Sequence, residues 1–548
     1  MASQEKEPAR IVADPSYDAA RGVRKLVRAL LSVSDKTGLI EFAKDLHGLS
    51  IELIASGGTA TALRDAGLPV LDVVDLTASP EMLGGRVKTL HPKIHGGILA
   101  RRNLEADRAD LARHAIGEID LVVCNLYPFE ATVSRPGVTR AQAIENIDIG
   151  GPSMIRSAAK NHAFVAVVCD PADYQSLASE LRTHGGLLDS TRRRLALKAF
   201  GHTAAYDAAI FNWLTDNDPE IPAPTFPDRL FISLEKAEAL RYGENPHQQA
   251  ALYGGFSEIA ELLHGKALSY NNLIDAQAAL ALIVDFMAPV EGGRGASASP
   301  AVVAILKHNT PCGVGAGTTP LEAYQRAFET DPESPFGGVI VSNRPFDLAL
   351  AAKVDEIFTE VLIAPGFSAD ALALLKKKKN RRLLRFDRDK IDAGQLELRR
   401  VYGGLLVQQA DPAPDEVESA KLATKQAPTD AQRRALEFAW RVVKHVKSNA
   451  IVFAAENRTL AIGGGATSRV DAVHAAAAKA ARVGISLQGA VLASDAFFPF
   501  ADGLETAVAA GAIAIVQPGG SARDEEVIAA ADRLGIPMLL TGTRHFRH

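Results

Sequence analysis

The stretch Ala301–Gly315, AVVAILKHNTPCGVG, places two residues capable of proton chemistry at the end of an apolar run. Residues 301–306 predict a fully buried strand. Lys307 and His308 follow directly, and the residues from Asn309 to Gly313 are expected to stop the strand and turn the chain. Because ligands bind beyond the carboxyl ends of strands in open α/β sheets, this pair can supply a fixed positive charge and a base. On local grounds alone, a strand that simply exits to solvent is an equal alternative.

Two strand ends in the first half carry residues that suit phosphate binding. Residues 28–34 (RALLSVS) predict a strand that turns into a helix through DKTG, and residues 50–56 (SIELIAS) repeat this plan with Gly57-Gly58-Thr59. Free backbone N–H groups at a helix start, together with Ser and Thr hydroxyls, can hold a phosphate, and Lys36 would add charge. The alternative is two ordinary N-caps.

Cationic and acidic groups gather in the segments that follow. The sequence GGRVKTLHP at 84–92 alternates cations with glycines, which suits anion binding more than core packing. Residues 120–126 predict a buried strand that delivers Asn125 and Tyr127 at its end. Asp148 lies between two isoleucines, so it is either an N-terminal cap or an acid/base group in a poorly solvated site.

The composition limits the class of protein. A chain of 548 residues predicts at least two domains, and 47% hydrophobic with 23% charged residues fits a globular protein. A net charge of −5 gives no sign of a broad nucleic-acid or membrane surface, and three scattered cysteines favour a reducing compartment. Alternating strands and helices predict a mostly parallel α/β first domain, and the proline-rich residues 216–227 predict a linker. Residues 1–25 are expected to be a flexible lead-in, and residues 291–300 a flexible surface insertion.

The second half contains a faint internal repeat. GVIVSN at 338–343 is matched by GAVLASD at 489–495, and each lies near a cluster of aromatic residues and proline. Each is predicted to follow a strand, a glycine-rich turn and a helix. Two related α/β units are therefore expected, with room for a site between them.

Taken together, these motifs closely resemble one family. SVSDKTG, SGGT, GGRVKTLHP, CNLYPF, IDIGG and AAKNH, followed by RYGENPHQ, LKHNTPCG, SDAFFPF and RHFRH, occur in the order found in the bifunctional purine-biosynthesis enzymes. These enzymes join aminoimidazole carboxamide ribonucleotide (AICAR) formyltransferase to inosine monophosphate (IMP) cyclohydrolase. The resemblance implies a methylglyoxal-synthase-like cyclohydrolase domain over 26–218. It also implies a duplicated cytidine-deaminase-like formyltransferase domain over 219–548.

The resemblance also implies roles for individual residues. Ring closure is assigned to Lys88, Tyr127, Asp148 and Lys160. The phosphate and ribose of its substrate are assigned to Ser34, Lys36, Thr37, Ser56, Gly58, Thr59, Arg86, Thr89 and Asn125. Formyl transfer is assigned to Lys307, His308 and Asn449. The substrates of that step are assigned to Arg241, Tyr242, Gly337, Arg469, Phe497, Asp502, Arg544 and His548.

The same resemblance implies the small molecules and partners. The substrates are AICAR, its formylated product FAICAR, IMP and 10-formyltetrahydrofolate as co-substrate, with no covalently bound cofactor, no metal and room for a monovalent cation. A cytoplasmic homodimer is expected, with transferase sites at the subunit interface and no nucleic-acid or membrane partner. A zinc-dependent nucleobase deaminase is a weaker alternative, because Pro311-Cys312 lacks the second cysteine that such a site needs. A non-catalytic nucleotide or folate sensor is the other.

Overall fold

The chain forms two compact units, residues 1–233 and 234–548. The computed structural model describes residues 10–287, 300–392, 394, 396–411 and 416–548. The predicted insertion at 291–300 lies outside the described residues, except for Pro300, and so do residues 1–9 of the predicted lead-in.

The first unit alternates strands with helices. Its strands are β1 Tyr17–Asp18, β2 Val23–Arg24, β3 Arg28–Val33, β4 Glu52–Ala55, β5 Leu71–Asp72, β6 Leu121–Asn125, β7 Ala166–Val168 and β8 Leu187–Leu188. Its helices are α1 Leu39–Gly48, α2 Gly57–Asp65, α3 Val73–Thr77, α4 Pro92–Leu99, α5 Glu105–Arg113, α6 Phe129–Val133, α7 Arg140–Glu145, α8 Gly150–Lys160, α9 Tyr174–His184 and α10 Asp189–Asp216.

The main sheet of this unit is parallel, as the sequence predicts. Its five strands run in the order β5-β4-β3-β6-β7, and each neighbouring pair is parallel. Successive residues of β3 face opposite cores: Leu31 packs in one apolar cluster and Leu30 in the other. Because both faces are covered by helices, the strands read as unbroken apolar runs. The carboxyl ends of β3, β4 and β6 therefore meet at one end of the sheet.

The structure corrects the expectation of a flexible lead-in for residues 10–25. Strands β1 and β2 pair with each other, and β2 pairs with β8. The buried Arg24 guanidinium donates to Asp14 Oδ2 at 2.7 Å and to the Ala163 carbonyl oxygen at 3.1 Å. It also lies over the Tyr17 ring. The Arg24 guanidinium thus attaches residues 10–25 to the rest of the first unit. The hydropathy of the sequence does not predict this attachment.

The predicted linker follows α10. Arg140 donates to the Asn217 carbonyl oxygen at 2.9 Å and to Asp218 Oδ2 at 3.0 Å. The Phe231 ring lies 5.0 Å from that of Phe211 on α10. Residues 217–233 therefore pack on the first unit, and the division between units falls later in the chain than the boundary expected at 218/219.

The second unit is a larger mixed α/β structure. Its strands are β9 Lys236–Leu240, β10 Ala250–Tyr253, β11 Ala260–His264, β12 Ala301–Lys307, β13 Thr310–Gly317, β14 Val339–Ser342, β15 Val361–Ala364, β16 Arg382–Phe386, β17 Glu397–Val401, β18 Gly404–Gln408, β19 Lys421–Leu422, β20 Ile451–Ala455, β21 Arg458–Gly463, β22 Ala490–Ser494, β23 Ala512–Gln517 and β24 Met538–Leu540. Its helices are α11 Phe256–Ile259, α12 Tyr270–Val284, α13 Pro320–Thr330, α14 Leu348–Asp355, α15 Ala369–Leu375, α16 Glu416–Ser419, α17 Asp430–Val443, α18 Arg469–Arg482, α19 Ala501–Ala510 and α20 Asp524–Leu534.

A twelve-stranded sheet confirms the internal repeat. Its order is β11-β16-β15-β14-β12-β13-β21-β20-β22-β23-β24-β19. Strands β12 to β16 of the first half correspond, in the same sequence of hairpin, helix and parallel strands, to β20 to β24 of the second half. The two halves meet where β13 pairs with β21, and the strand order on one side of this pair mirrors the order on the other side. The chain therefore contains two copies of one unit related by an approximate two-fold axis.

Helices cover both faces of this sheet. Helices α12 and α17 pack on one face against residues such as Val302 and Val452. The other face carries α13 to α15 over the first copy and α18 to α20 over the second. This three-layer arrangement explains why 301–306 is apolar at every position.

The turn after β12 is shorter than the sequence suggests. Only His308 and Asn309 form it, with φ of 54° and 63°, and Thr310 already begins β13. Gly313, expected to stop the strand, lies inside β13. A Cβ at that position would lie 2.0 Å from the Ala327 carbonyl oxygen of α13. The glycine is thus required by the close approach of a helix, not by a turn.

The two-fold relation gives each position a counterpart. Val303 pairs with Ser342 in the first copy, and Ile451 pairs with Ser494 in the second. It follows that Asn343 occupies the place of Asp495. In the hairpins, His308 occupies the place of Glu456. We call the end of the sheet that carries β12's carboxyl terminus the Lys307 end, and the other the opposite end.

Candidate active sites

A cavity of about 610 Å³ opens at the carboxyl ends of β3, β4 and β6. Its walls come from the turns after these strands, the loop before α4, and the start of α8. It is lined by Ser32, Val33, Ser34, Lys36, Ser56, Gly57, Gly58, Thr59, Gly84, Gly85, Arg86, Lys88, Thr89, Asn125, Tyr127, Ile144, Glu145, Ile147, Asp148, Ile149, Gly150, Gly151 and Met154. The structure thus brings together all but two of the residues predicted for the first unit.

Those two residues, Thr37 and Lys160, lie outside the cavity. Thr37 is exposed, and its hydroxyl donates to Asp35 Oδ1 at 2.7 Å. Lys160 is exposed at the last position of α8, whereas the cavity is lined by the first residues of that helix. Ten residues of helix separate the two ends by about 15 Å. Lys160 is therefore not among the residues that line the cavity, and its role in ring closure stays a prediction.

Two lysines converge on the start of α2. A Cβ on Gly57 would lie 3.2 Å from Lys88 Nζ, and one on Gly58 would lie 3.9 Å from Lys36 Nζ. The N-cap residue Ser56 also lines the cavity. Two ammonium groups and the free N–H groups of a helix start make a cradle for an anion. Glycine keeps this space open.

Other predicted residues line the cavity but use their polar atoms to hold its frame. Asn125 Oδ1 accepts from the backbone N–H groups of Ser34 at 2.6 Å and Asp35 at 2.9 Å. The Thr59 hydroxyl is buried between the N–H and carbonyl groups of Val33. These two side chains fix the turn after β3, and their role as substrate contacts stays a prediction.

Asp148 combines both interpretations offered by the sequence. Its Oδ1 accepts from Gly151 N at 2.8 Å at the start of α8, and the residue lines the cavity. Burial raises the pKa of this carboxyl, while backbone N–H groups partly oppose the shift. Burial is the main cause of this shift, in keeping with a carboxyl group in a poorly solvated site. A raised pKa makes the carboxylate a stronger base.

In the second unit, the Lys307 hairpin is fixed from two sides. Lys307 Nζ donates to the Phe336 carbonyl oxygen at 3.0 Å, which places the ammonium beside Gly337. The Asp275 carboxylate of α12 accepts from Asn309 N at 2.7 Å. The His308 side chain is exposed at the tip of this turn. The Lys–His pair thus projects from a rigid hairpin, as the sequence suggests.

A second group of predicted residues surrounds Asp495. The Arg469 guanidinium donates to Asn449 Oδ1 at 2.8 Å and to Asp495 Oδ1 at 2.5 Å. Asp495 Oδ1 also accepts from Ala450 N at 3.1 Å. Arg469 and Asp495 are both buried. Arg469, predicted to bind nucleotide, therefore uses its donors to orient Asn449.

The remaining predicted residues also lie around the Lys307 end. Phe497 is half-buried, Asp502 is exposed in the first turn of α19, and Arg544 and His548 are exposed after β24. The aromatic cluster is split: Phe498 is fully buried and Phe500 is exposed. Arg241 and Tyr242 follow β9, in a loop whose Glu244 carbonyl oxygen accepts from Asn271 at the start of α12.

Sheet direction brings these groups to one end but not into contact. Strands β12, β13, β21 and β20 are antiparallel in turn, so Lys307 and Asn449 both lie at the Lys307 end. Three strand spacings separate them, which amounts to about 14 Å. The Lys–His pair and the Asn449 group are two half-sites along the same end of the sheet.

Comparison with known proteins identifies the family. A family model described as the AICARFT/IMPCHase bienzyme matches residues 158–479, more than half of the chain. The chain belongs to the AICARFT/IMPCHase family. An MGS-like domain model matches residues 38–153, which agrees with the parallel sheet of the first unit.

Relatives of this family member share nearly its full length. The "bifunctional purine biosynthesis protein PurH" of Chloroflexus aurantiacus is 56% identical over 527 residues, covering 96% of this chain and 100% of that protein. The PurH of Anaeromyxobacter dehalogenans (strain 2CP-C) is 52% identical over 538 residues, covering 95% and 99%. A solved structure described as "Crystal structure of ForH" is 40% identical, with a TM-score of 0.32, and covers 34% of this chain and 98% of its own.

Several residues that shape the sites of this AICARFT/IMPCHase member escape sequence reasoning. Glu81 holds Lys88 at 2.9 Å, and Glu145 pairs with Arg86. The Tyr206 hydroxyl of α10 accepts from Asp148 N at 2.8 Å. Such partners lie far apart in sequence or have ordinary surface residue types. Among the residues that hold the sites in place without being predicted as site residues, only Asp495 lies in a motif that the sequence analysis singled out, SDAFFPF.

Among the described residues, no group of three or more His, Cys, Asp or Glu side chains could hold a metal ion. Cys312 lies in β13, and burial raises the pKa of its thiol to about 12. Of the helices in the described part of the chain, none is long and apolar enough to cross a membrane.

Proposed function

We propose that this protein catalyses the last two steps of IMP synthesis. The second unit transfers a formyl group from 10-formyltetrahydrofolate to AICAR, and the first unit closes the ring of FAICAR to give IMP. Membership of the AICARFT/IMPCHase family supports both activities. The observation that carries the assignment within the chain is the cavity that collects the anion cradle, Lys88, Tyr127 and Asp148.

Ring closure joins the carboxamide nitrogen to the formyl carbon and releases water. The Asp148 carboxylate accepts a proton from the attacking nitrogen, which its raised pKa favours. Lys88 and Tyr127 lie on the same cavity, where they stabilise the formyl oxygen and protonate it as it leaves. The phosphate occupies the cradle at the start of α2, beside Lys36.

Formyl transfer needs a base, because the lone pair of the AICAR amine is delocalised into the ring. His308 accepts the proton as this amine attacks the formyl carbon. Lys307 stabilises the oxyanion or protonates the departing folate nitrogen. Asn449, oriented by Arg469, positions the formyl donor.

We further propose a cytoplasmic homodimer in which two chains complete each transferase site. The separation of the half-sites by about 14 Å supports this arrangement, since a second copy can bring its own group opposite Lys307. The hairpin β17–β18 also exposes Leu398, Tyr402 and Leu406, although a two-stranded hairpin is marginally stable alone in water. A bound monovalent cation stays a prediction from the family resemblance.

The decisive experiment separates the two activities. His308→Ala should abolish formyl transfer from 10-formyltetrahydrofolate to AICAR and leave conversion of FAICAR to IMP at the wild-type rate. Loss of the formyl donor and appearance of IMP are followed separately by absorbance. Unchanged transfer in the variant would contradict the role of His308, and tight substrate binding by the wild type without turnover would contradict the proposed activity.

A further inference from the structure

The C-terminal segment, residues 541–548, is held by a buried histidine. His545 Nδ1 lies 2.7 Å from Asp411 Oδ2, and its Nε2 lies 3.6 Å from Glu416 Oε2. The Trp440 ring of α17 lies 5.1 Å from the imidazole ring, and the Trp440 N–H donates to Glu416 at 3.0 Å. His545 is only 1% exposed. One imidazole thus joins a loop, two helices and the segment itself.

A second attachment lies two residues further on. Arg547 donates to His445 Nδ1 at 3.2 Å, and His445 Nε2 lies 2.7 Å from Asp285 Oδ2. Arg547 N also donates to the Ser448 hydroxyl at 3.0 Å, and Ser448 in turn bonds Asp495. The segment is therefore connected to the same carboxylate that Arg469 binds next to Asn449.

The exposure of the segment alternates. His545 is buried and Arg547 half-buried, whereas Arg544, Phe546 and His548 are exposed. An extended chain places successive side chains on opposite sides, so anchoring two positions fixes the direction of the other three. The Arg544 guanidinium lies 4.6 Å from the Phe546 ring on this outer side.

We propose that His545 is a positioning residue for formyl transfer: by anchoring the C-terminal segment to Asp411 and Glu416, it presents Arg544 and His548 to the nucleotide. The inference rests on the proposed function, because it takes the Lys307 end as the AICAR site. His545 itself touches no substrate. An unanchored C-terminal segment would lose conformational entropy when the nucleotide binds. His545 lowers this cost because it holds the segment in place beforehand.

The charges around His545 favour its protonated form. Asp411 and Glu416 are the acidic groups that face the imidazole, and they oppose the effect of burial and raise its pKa to about 9. The protonated imidazole then makes one charge-assisted hydrogen bond, from Nδ1 to Asp411, and its positive charge also attracts Glu416 Oε2 at 3.6 Å from Nε2. Above about pH 9 this positive charge is lost, and the anchor weakens.

The test uses the full chain and its two activities. His545→Phe keeps a ring against Trp440 but removes both donors, and Asp411→Asn removes one acceptor charge while keeping the shape. We expect the KM for AICAR to rise roughly tenfold or more in His545→Phe, which loses the hydrogen bond to Asp411 and the ion pair with Glu416, and by less in Asp411→Asn, which keeps the attraction to Glu416. The kcat of transfer should change less, and FAICAR cyclisation should stay at the wild-type rate. His474→Phe, an exposed histidine on α18, is the matched control and should change neither activity.

A pH profile distinguishes positioning from a general loss of structure. In Asp411→Asn the KM for AICAR should begin to rise at a lower pH than in the wild type, because loss of one carboxylate lowers the pKa of His545. A wild-type KM in His545→Phe would overturn the proposal, as would an equal fall of transfer and cyclisation in both variants. A wild-type protein that transfers no formyl group would contradict the proposed function and remove this inference with it.

Discussion

At the scale of single residues, burial raises the pKa of an acid and lowers the pKa of a base, and nearby charges can outweigh it. Asp148 lies in a cavity wall where poor solvation raises the pKa of its carboxyl. His545 is also buried, yet two carboxylates keep it protonated to about pH 9. The outcome depends on whether a counter-charge is present. Asp148 is thereby suited to accept a proton, and His545 to hold a fixed charge.

Replacing Asp148 tests the first of these roles. Asp148→Asn keeps an oxygen for the N–H of Gly151 but removes the carboxylate, so ring closure should fall about 10²- to 10⁴-fold while formyl transfer is unchanged. In the wild type, ring closure should decline as the pH falls through the raised pKa, because the base becomes protonated. The variant should lack this acidic limb. Steady-state rates of IMP formation from FAICAR across pH check both points, and a wild-type rate in the variant would contradict them.

At the scale of elements, both units place the candidate site residues in the turns where strands end. In the first unit the turns after β3 and β4 form the anion cradle. In the second, the β12–β13 hairpin and the start of α18 carry Lys307 and Arg469. Glycines in these elements have two distinct functions: some leave room for a ligand, and others let a helix approach a strand.

Gly58 belongs to the first kind. Gly58→Ala should add a methyl group to the cradle near Lys36 and raise the KM for FAICAR about tenfold, whereas the helix itself should be no less stable, because alanine favours helix more than glycine does. The matched control is Gly48→Ala at the end of α1, where the described atoms leave the added Cβ free space within 4 Å. Cyclisation kinetics and thermal unfolding measure the two effects. Equal KM values in the two variants would argue against a cradle at α2.

Gly315 belongs to the second kind. A Cβ there would lie 2.2 Å from the Ala323 carbonyl oxygen of α13, so Gly315→Ala should destabilise the second unit by about 1–3 kcal/mol or more. Gly404→Ala, in the exposed β17–β18 hairpin, should have little effect, since the described structure leaves its Cβ position open. Urea unfolding followed by tryptophan fluorescence compares them. A similar midpoint for both variants would show that α13 can move away at little cost.

The sequence predicts those parts of the fold and site that depend on local pattern. Apolar runs ended by Ser, Gly, Asn, Tyr, Lys or His predicted β3, β4, β6 and β12 and the residues at their carboxyl ends. It could not predict partners that meet only through tertiary structure. Glu145 opposite Arg86, Tyr206 behind Asp148, and Asp411 beside His545 are ordinary polar residues in the sequence. Their role depends on which elements become neighbours.

At the scale of the whole molecule, the twelve-stranded sheet separates the two half-sites proposed for formyl transfer, so that a second chain would be needed to complete each site. It holds the Lys307 and Asn449 half-sites at one end but about 14 Å apart. The hairpin β17–β18 lies near this region, because Arg399 donates to the His548 carbonyl oxygen at 2.6 Å. The proposed dimer would cover the exposed leucines of the hairpin and complete the site at the same time.

A charge placed on that hairpin tests the dimer. Leu406 is 59% exposed, and Leu406→Asp should dissociate the dimer, because a carboxylate buried in an apolar interface lacks a partner. Sedimentation velocity should then show a single chain, with formyl transfer lost and ring closure retained. Leu49→Asp, at an exposed leucine of the first unit, should leave the sedimentation coefficient unchanged. A dimeric, fully active Leu406→Asp protein would contradict the proposed interface.

The two-fold relation within the second unit has a consequence for its history. The strand order on the two sides of the β13–β21 pair is the same. Gene duplication and fusion would produce such a sheet from two identical chains that pair through one edge strand each. In the present chain the opposite end has Asn343 and Glu456 where the Lys307 end has Asp495 and His308. The two ends of the sheet therefore differ in the residue types at these positions, and the opposite end offers a scaffold on which new side chains could be placed without altering the Lys307 end.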